Sequence, residues 1–246
     1  MSEYSDTRLS VIIPAFNEEL RLPRTLDQVM TYLTKQSYRS EVIVVNDGST
    51  DNTAQVVQNR QPGSVPLKLL QHLDSANHGK GESVKRGMLE ACGECRLFMD
   101  ADNSTTLDQV ERFWDFLNKG CEVMIGSRAH KESVIRRRQS ILKELAGRIG
   151  NLLVQVLAVP GIHDTQAGFK MFTAEAAQNI FPKQTIKQWG YDIEILAIAR
   201  TLGYKVCEIP ITWLNAPGSK VTTGTYFEVL GEIWKIRHNL RAGLYK

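Results

Sequence analysis

Through the first hundred residues, short β-branched runs alternate with longer mixed segments, the pattern of a mainly parallel sheet covered by helices. Leu9 to Pro14, Glu41 to Asn46, Leu67 to Gln71, Arg96 to Asp100 and Glu122 to Gly126 read as strands. Val42-Ile43-Val44-Val45 shows no polar alternation and is expected to be buried on both faces. Between the runs, Leu20, Leu26, Val29, Met30 and Leu33 recur at helical spacing, and Ser49, Thr50 and Asp51 offer N-cap chemistry to a helix over Ala54 to Asn59. Gln61-Pro62-Gly63-Ser64 reads as a loop. After Gly126 the pattern changes: Arg136-Arg137-Arg138 leads into Leu142, Leu145, Ile149, Leu152, Leu153 and Val156, a long amphipathic helix with a basic beginning. Tyr226 to Leu240 repeats the theme, interleaving Val229, Leu230, Ile233, Trp234 and Ile236 with Lys235, Arg237 and His238.

Composition narrows the class. With 246 residues, 42% hydrophobic and 23% charged, the chain can bury a core as a single domain over residues 1–246, and it shows no internal repeat or low-complexity tract. Thirty Lys and Arg stand against 27 Asp and Glu, a net charge of +3 that is too balanced for a nucleic-acid partner. No stretch approaches the roughly 20 apolar residues that span a bilayer. The longest, Ile149 to Val159, is interrupted by Gly150, Asn151 and Gln155, so no transmembrane segment is expected. Met1 to Arg8 is polar and carries no secretory apolar region, so Cys92, Cys95, Cys121 and Cys207 are expected as reduced thiols in the cytosol. Cys92-Gly93-Glu94-Cys95 has redox or zinc spacing but no second ligand pair, which favours two ordinary thiols at a helix-to-strand junction.

The candidate chemistry lies where strands end, the place where open α/β sheets bind ligands. Pro14 to Glu18, Asn46 to Asp51, Asn77 to Gly81 and Asp100 to Asn103 are expected to line one crevice. Asp100 and Asp102 alternate around Ala101, so both carboxylates can face one way at the mouth of a strand. Two acids that close repel unless a proton or cation intervenes, and two oxygen ligands supplemented by water and phosphate describe a Mg²⁺ or Mn²⁺ site. The alternative is that they cap a helix beginning near Leu107, with Ser104 and Thr105. Asn77-His78-Gly79-Lys80-Gly81 sets a lysine between glycines before a helix, where backbone N–H groups and an ammonium meet an anion together. It lacks the Walker spacing, and alone it is equally a turn. Asp47, before Gly48, reads either as an acceptor for a base or ribose or as a turn aspartate; Arg128 reads either as a phosphate ligand or as a surface arginine.

Taken in order, Val11 to Glu18, Val45 to Thr53, Asn77 to Gly81, Asp100-Ala101-Asp102 and Gly126-Ser127-Arg128 resemble the family 2 glycosyltransferases. Asp164-Thr165-Gln166-Ala167-Gly168-Phe169-Lys170 and Trp189-Gly190-Tyr191-Asp192-Ile193-Glu194 resemble the subgroup that glycosylates polyprenyl phosphates, most like its dolichyl-phosphate glucosyltransferases. The resemblance covers residues 8 to 215. It implies a GT-A nucleotide-sugar-binding fold with helices on both faces of a mainly parallel sheet. Residues 8–128 would be the nucleotide-sugar half, 129–215 the acceptor side and 216–246 a C-terminal amphipathic region. It places Pro14, Ala15, Asn17, Glu18, Asp47, Gly79, Lys80, Asp100 and Ala101 at the nucleotide, and Asp100 and Asp102 on the metal. Asp102, Lys80 and Arg128 would be catalytic, Asp164 and Gln166 would meet the acceptor, and Asp192 and Glu194 the donor sugar; Arg136, Arg137 and Arg138 read either as contacts to the anionic acceptor or as a solvated basic helix start. Mannosyl members usually carry Gln two positions after the second Asp, where this chain has Ser104; that leaves a third protein ligand in doubt and favours UDP-glucose over GDP-mannose as donor.

The resemblance further implies inverting transfer of a hexose onto a polyprenyl phosphate, whose oxygen is already anionic and needs no strong general base. Asp164 would orient an acceptor-side basic residue; Asp192 and Glu194 either touch the sugar or hold the fold. The expected setting is the cytoplasmic face of a membrane, with peripheral attachment through the basic, apolar helices and room for a homo-oligomer. Two other readings stand beside this one: transfer to a soluble hydroxyl, and a non-enzymatic nucleotide-sugar-binding scaffold that pairs through Tyr226 to Lys246.

Overall fold

The computed structural model describes residues 6–72, 74, 76–136, 154–214 and 223–246, the side chains of 223–227 excepted. The strands are β1 (Thr7–Ala15), β2 (Arg39–Asn46), β3 (Leu67–Gln71), β4 (Cys95–Met99), β5 (Val123–Ser127), β6 (Val134–Ile135), β7 (Phe169–Thr173), β8 (Val206–Pro210) and β9 (Thr212–Trp213). The helices are α1 (Leu22–Leu33), α2 (Thr53–Gln58), α3 (Lys80–Glu90), α4 (Val110–Asn118), α5 (Ala174–Ile180), α6 (Tyr191–Thr201) and α7 (Thr223–Arg241).

Seven strands form one sheet in the order β3-β2-β1-β4-β7-β5-β8, and β6 pairs with β9 in a small second sheet. All neighbours in the large sheet are parallel except β7, which runs antiparallel to both β4 and β5. Strand alternation divides the apolar side chains between two layers. Ile12, Ile43, Val45 and Phe98 face α3, α5, α6 and α7, whereas Val11, Ile13, Val42 and Val44 face α1 and α4. All four residues from Val42 to Val45 are fully buried, as their unbroken apolar run requires. Pro14 is tolerated inside β1 because pairing with β4 ends at Ile12 opposite Phe98, before the residue that lacks an N–H.

Several sequence expectations are corrected. Leu20 is 89% exposed and precedes α1, which starts at Leu22 with Pro23 in its first turn. β7 and β8 were not anticipated because Lys170 and Glu208 interrupt their apolar runs; both charges are satisfied inside the protein. β7 also inserts between β4 and β5, so residues beyond 128 complete the same sheet. Cys121 and Cys207 are not reduced thiols but a disulfide: the parallel pairing of β5 with β8 brings their Cα atoms to 6.1 Å across 86 residues of sequence. Cys92 and Cys95 remain free, and each thiol is pushed up to about 11, by burial in both cases and for Cys92 also by its hydrogen bond to Glu41. Neither suits redox or metal chemistry. The expected helix through Leu142, Leu145, Ile149, Leu152 and Leu153 lies outside the described residues, apart from a helical turn over 154–157.

Candidate active site

The four polar segments converge beyond the C-terminal ends of β1, β2 and β4 and before α3. Asp47 N–H donates to the Ala15 carbonyl at 2.9 Å, joining the ends of β2 and β1. Asn17 N–H donates to Ser49 Oγ at 2.9 Å, and Thr50 N–H returns a bond to Asn17 Oδ1 at 2.9 Å. Asn17 adopts φ 50, a left-handed conformation that asparagine tolerates through such local bonds. Glu18 N–H donates to Thr53 Oγ1, tying this turn to α2.

Asp47 is nearly inaccessible, and its carboxylate accepts the backbone N–H groups of His78 at 2.8 Å and Gly79 at 3.0 Å. It therefore holds the glycine-lysine loop at the sheet edge. Gly79 has φ +99, and a Cβ there would lie 2.5 Å from the Lys187 carbonyl, so conformation and space both demand glycine. That turn delivers Lys80, the first residue of α3, to Asp100: Nζ to Oδ1 is 2.6 Å. Burial works against the Lys80 charge, but Asp100, Asp192 and Asp102 together outweigh it and hold the ammonium above its ordinary value.

Asp100 and Asp102 follow β4. Burial and the neighbouring Asp100 anion raise the Asp102 carboxyl above the usual carboxylate range, against the opposing pull of Ser104 and Arg21. The helix-capping alternative fails here: the short 3₁₀ turn Leu107–Gln109 starts after Thr106, with no side-chain cap bond. Asp102 instead accepts the Ser104 N–H at 2.9 Å, which shapes its own turn. Among the described residues no group of three or more His, Cys, Asp and Glu is placed to hold a metal. The donor set is two carboxylates whose mutual repulsion a cation relieves, and it fits a hard divalent ion that takes its remaining oxygens from phosphate and water. Ala101, nearly buried, fixes the turn by accepting the Thr25 hydroxyl at 2.7 Å.

Arg128 follows β5 directly and makes a three-point contact with Asp164. The Asp164 carboxylate accepts its backbone N–H at 2.7 Å and its guanidinium twice at 2.8 Å, while Trp213 lies 5.4 Å from the guanidinium. Burial opposes ionisation of Asp164, but Arg128 holds its carboxyl below the usual range. Asp164 is itself set by Glu208 of β8, which accepts the Asp164 N–H at 3.0 Å and the Ser127 hydroxyl at 2.7 Å.

The remaining expected residues divide. Glu18 gives its carboxylate to Arg21 in a bidentate pair at 2.6 Å, and Arg21 acts electrostatically on Asp100 and Asp102. Asp192 is buried against Lys170 and lies within electrostatic reach of Lys80 and Asp100. For Glu194 the structure favours the fold-holding alternative: with no exposure, it accepts Thr185 N–H and hydroxyl, Ile186 N–H and the Tyr245 hydroxyl, so it ties α6 to the 184–186 loop and the C-terminus. Gln166 and Arg136 are exposed; Arg137 and Arg138 lie outside the described residues. The sequence reading missed Arg21, Glu208 and Lys170. Lys170 and Glu208 each carried a signal, a charge inside an otherwise apolar run, and Arg21 carried none.

The model of the family described as "Glycosyl transferase family 2" matches residues 10–181. This chain belongs to that family. The matched span takes in β1 from Ser10 onward, β2 to β5, the Asp47 clamp, Lys80, the Asp100–Asp102 pair, Arg128 and Lys170. Among curated relatives of this family 2 glycosyltransferase, the dolichyl-phosphate beta-glucosyltransferase of Dictyostelium discoideum is 36% identical over 97% of this chain and 76% of its own. The Homo sapiens protein of the same name is 36% identical over 87% of this chain and 69% of its own, and the Saccharomyces cerevisiae one 35% over 90% and 72%. A solved structure of glucosyl-3-phosphoglycerate synthase from Mycobacterium tuberculosis with Mn²⁺, UDP-glucose and phosphoglyceric acid superposes with a TM-score of 0.69. It is 17% identical, covering 94% of this chain and 80% of that one, and the likeness bears out the expected GT-A architecture. No helix among the described residues is long and apolar enough to cross a membrane.

Proposed function

We propose that this glycosyltransferase moves glucose from UDP-glucose to a dolichyl-type polyprenyl phosphate with inversion. The observation that carries the reading is the acid–lysine cluster of Asp100, Asp102 and Lys80 at the strand ends, in a chain whose relatives of 34–36% identity, over most of its length, are named dolichyl-phosphate beta-glucosyltransferases.

Asp100 and Asp102 would hold Mg²⁺ or Mn²⁺, which supplies electrophilic stabilisation of a diphosphate when bound. Lys80 contributes a positive charge on the same side, and Asp47, by fixing the His78–Gly79 backbone, sets the loop on which Lys80 and the nucleoside site depend. Arg128, locked by Asp164, offers a preorganised guanidinium to phosphate oxygens, so little reorganisation is needed during transfer. The nucleophile is the lipid phosphate oxygen, and the protein's work is to position it behind the anomeric carbon and stabilise the leaving diphosphate. A single in-line displacement then inverts the configuration.

Peripheral attachment to a membrane surface is supported by α7, where Leu230 is 37% and Trp234 64% exposed one helical turn apart, with Lys235, Arg237 and Arg241 nearby. Exposed Arg136 lies at the start of the basic cluster. A thermal-shift comparison of UDP-glucose with GDP-mannose, each with Mn²⁺, tests the donor: stabilisation by UDP-glucose and not by GDP-mannose is expected, and the reverse would overturn the reading.

A further inference from the structure

β7 carries a lysine where the sheet alternation calls for an apolar residue. Lys170 is fully buried between β4 and β5, opposite Phe98 and Ile125 in register, with its ammonium 5.3 Å from the Phe98 ring. Its Nζ donates to the Ala167 carbonyl at 2.6 Å and pairs with Asp192, which is itself 4% exposed. An ion pair this deep is poor material for stability, because apolar residues of similar volume usually do as well or better. Its location is more informative. Asp192 stands in the first turn of α6, next to Tyr191, and a Cβ on Gly81, one residue from Lys80, would lie 2.7 Å from the Tyr191 Cβ. The start of α6 is thus packed directly on the start of α3.

Two ion pairs therefore lie close together, Lys170 with Asp192 and Lys80 with Asp100, and Asp192 is within electrostatic reach of Lys80. In the structure Lys80 is bonded to Asp100, one of the two carboxylates assigned above to the metal. With Asp100 holding a divalent ion, Lys80 would share that carboxylate and would be free to turn toward the donor's diphosphate. An anion behind it keeps the recessed ammonium compensated during the exchange.

We propose that Lys170 is a positioning residue that fixes Asp192 as the standing counter-charge of Lys80, leaving Lys80 free to pass from Asp100 to the diphosphate of the donor. This rests on the donor and metal reading of the preceding subsection. Lys170 touches neither substrate nor metal and acts only through Asp192.

The test compares Lys170→Met, Asp192→Asn and the double variant Lys170→Met/Asp192→Leu with the wild type, by thermal midpoint, calorimetric affinity for UDP with Mn²⁺, and KM against kcat for UDP-glucose. Lys170→Met strands a buried carboxyl and is expected to melt early. The double variant restores an apolar core and is expected to recover the wild-type midpoint while UDP affinity remains at least tenfold weaker. Asp192→Asn, close in shape to the native residue, is expected to raise the KM for UDP-glucose several-fold more than it lowers kcat. A double variant that binds UDP within twofold of wild type, or an Asp192→Asn enzyme with unchanged KM, would overturn this inference alone. If the wild-type chain itself fails to bind UDP with Mn²⁺, the donor reading falls and takes the inference with it.

Discussion

Gly168→Ala isolates the seating of Asp100. A Cβ at residue 168 would lie 2.0 Å from Asp100 Oδ2 and 2.3 Å from its Cγ, more than 1 Å inside an ordinary carbon–oxygen contact of about 3.3 Å. Gly168 is not among the glycines with positive φ, so alanine brings no backbone strain and the effect comes from the added methyl alone. The Gly168 carbonyl accepts the Asp100 N–H at 3.1 Å, which prevents the two chains from simply parting. The carboxylate must therefore swing, and its 2.6 Å bond to Lys80 goes with it. Overpacking of this kind costs about 1–3 kcal/mol of stability. Displacing a catalytic group by about 1 Å costs roughly 100-fold in rate, or about 2.7 kcal/mol of transition-state stabilisation. The assay is kcat/KM for UDP-glucose at saturating lipid phosphate and Mn²⁺, alongside UDP affinity without metal. A fall of about two orders of magnitude is expected, with metal-free UDP affinity largely kept, because the Asp47 clamp does not touch Gly168. Activity within threefold of wild type would refute the reasoning, since the carboxylate would then have room the structure does not show.

Asp102→Asn should lower turnover by orders of magnitude and abolish the Mn²⁺ dependence of UDP binding while leaving the thermal midpoint close to wild type; full activity in excess chelator would contradict this. Asp47→Ala removes the acceptor for two loop N–H groups and should weaken UDP binding by about 1–3 kcal/mol, read by calorimetry. Asp164→Asn breaks a pair whose carboxylate is buried and whose arginine is 32% exposed, and should destabilise the protein by about 1–3 kcal/mol at pH 7. Because the folded Asp164 carboxyl is held below the usual range, the gap between the two proteins should be full above about pH 4 and close as pH falls through the depressed value, measured by urea melts across pH.

The strands β1 to β5 and the convergence of four polar segments were legible in the sequence because each strand is a short apolar run ending in turn chemistry. β7 and β8 were hidden by Lys170 and Glu208, charges whose partners sit at positions 192 and 127 and cannot be anticipated from local pattern. The disulfide was hidden for a similar reason: only the β5–β8 register joins Cys121 to Cys207. α6 offered no amphipathic stripe because Tyr191 to Ala199 are buried all round. Among the site residues, Asp100, Asp102, Lys80 and Asp47 announced themselves by position at strand ends. For Glu194 the sequence left a structural and a sugar-binding role open, since the Thr185, Ile186 and Tyr245 groups it binds come from a loop and the far C-terminus.

The most direct measurement is transfer itself: radiolabelled UDP-glucose, Mn²⁺ and dolichyl phosphate incubated with the purified chain, with label counted in the organic phase. Label should enter that phase only when both lipid phosphate and metal are present, and should be lost in Asp102→Asn. Label that stays in water with a soluble hydroxyl acceptor, or enters the organic phase from GDP-mannose and not from UDP-glucose, would contradict the assignment.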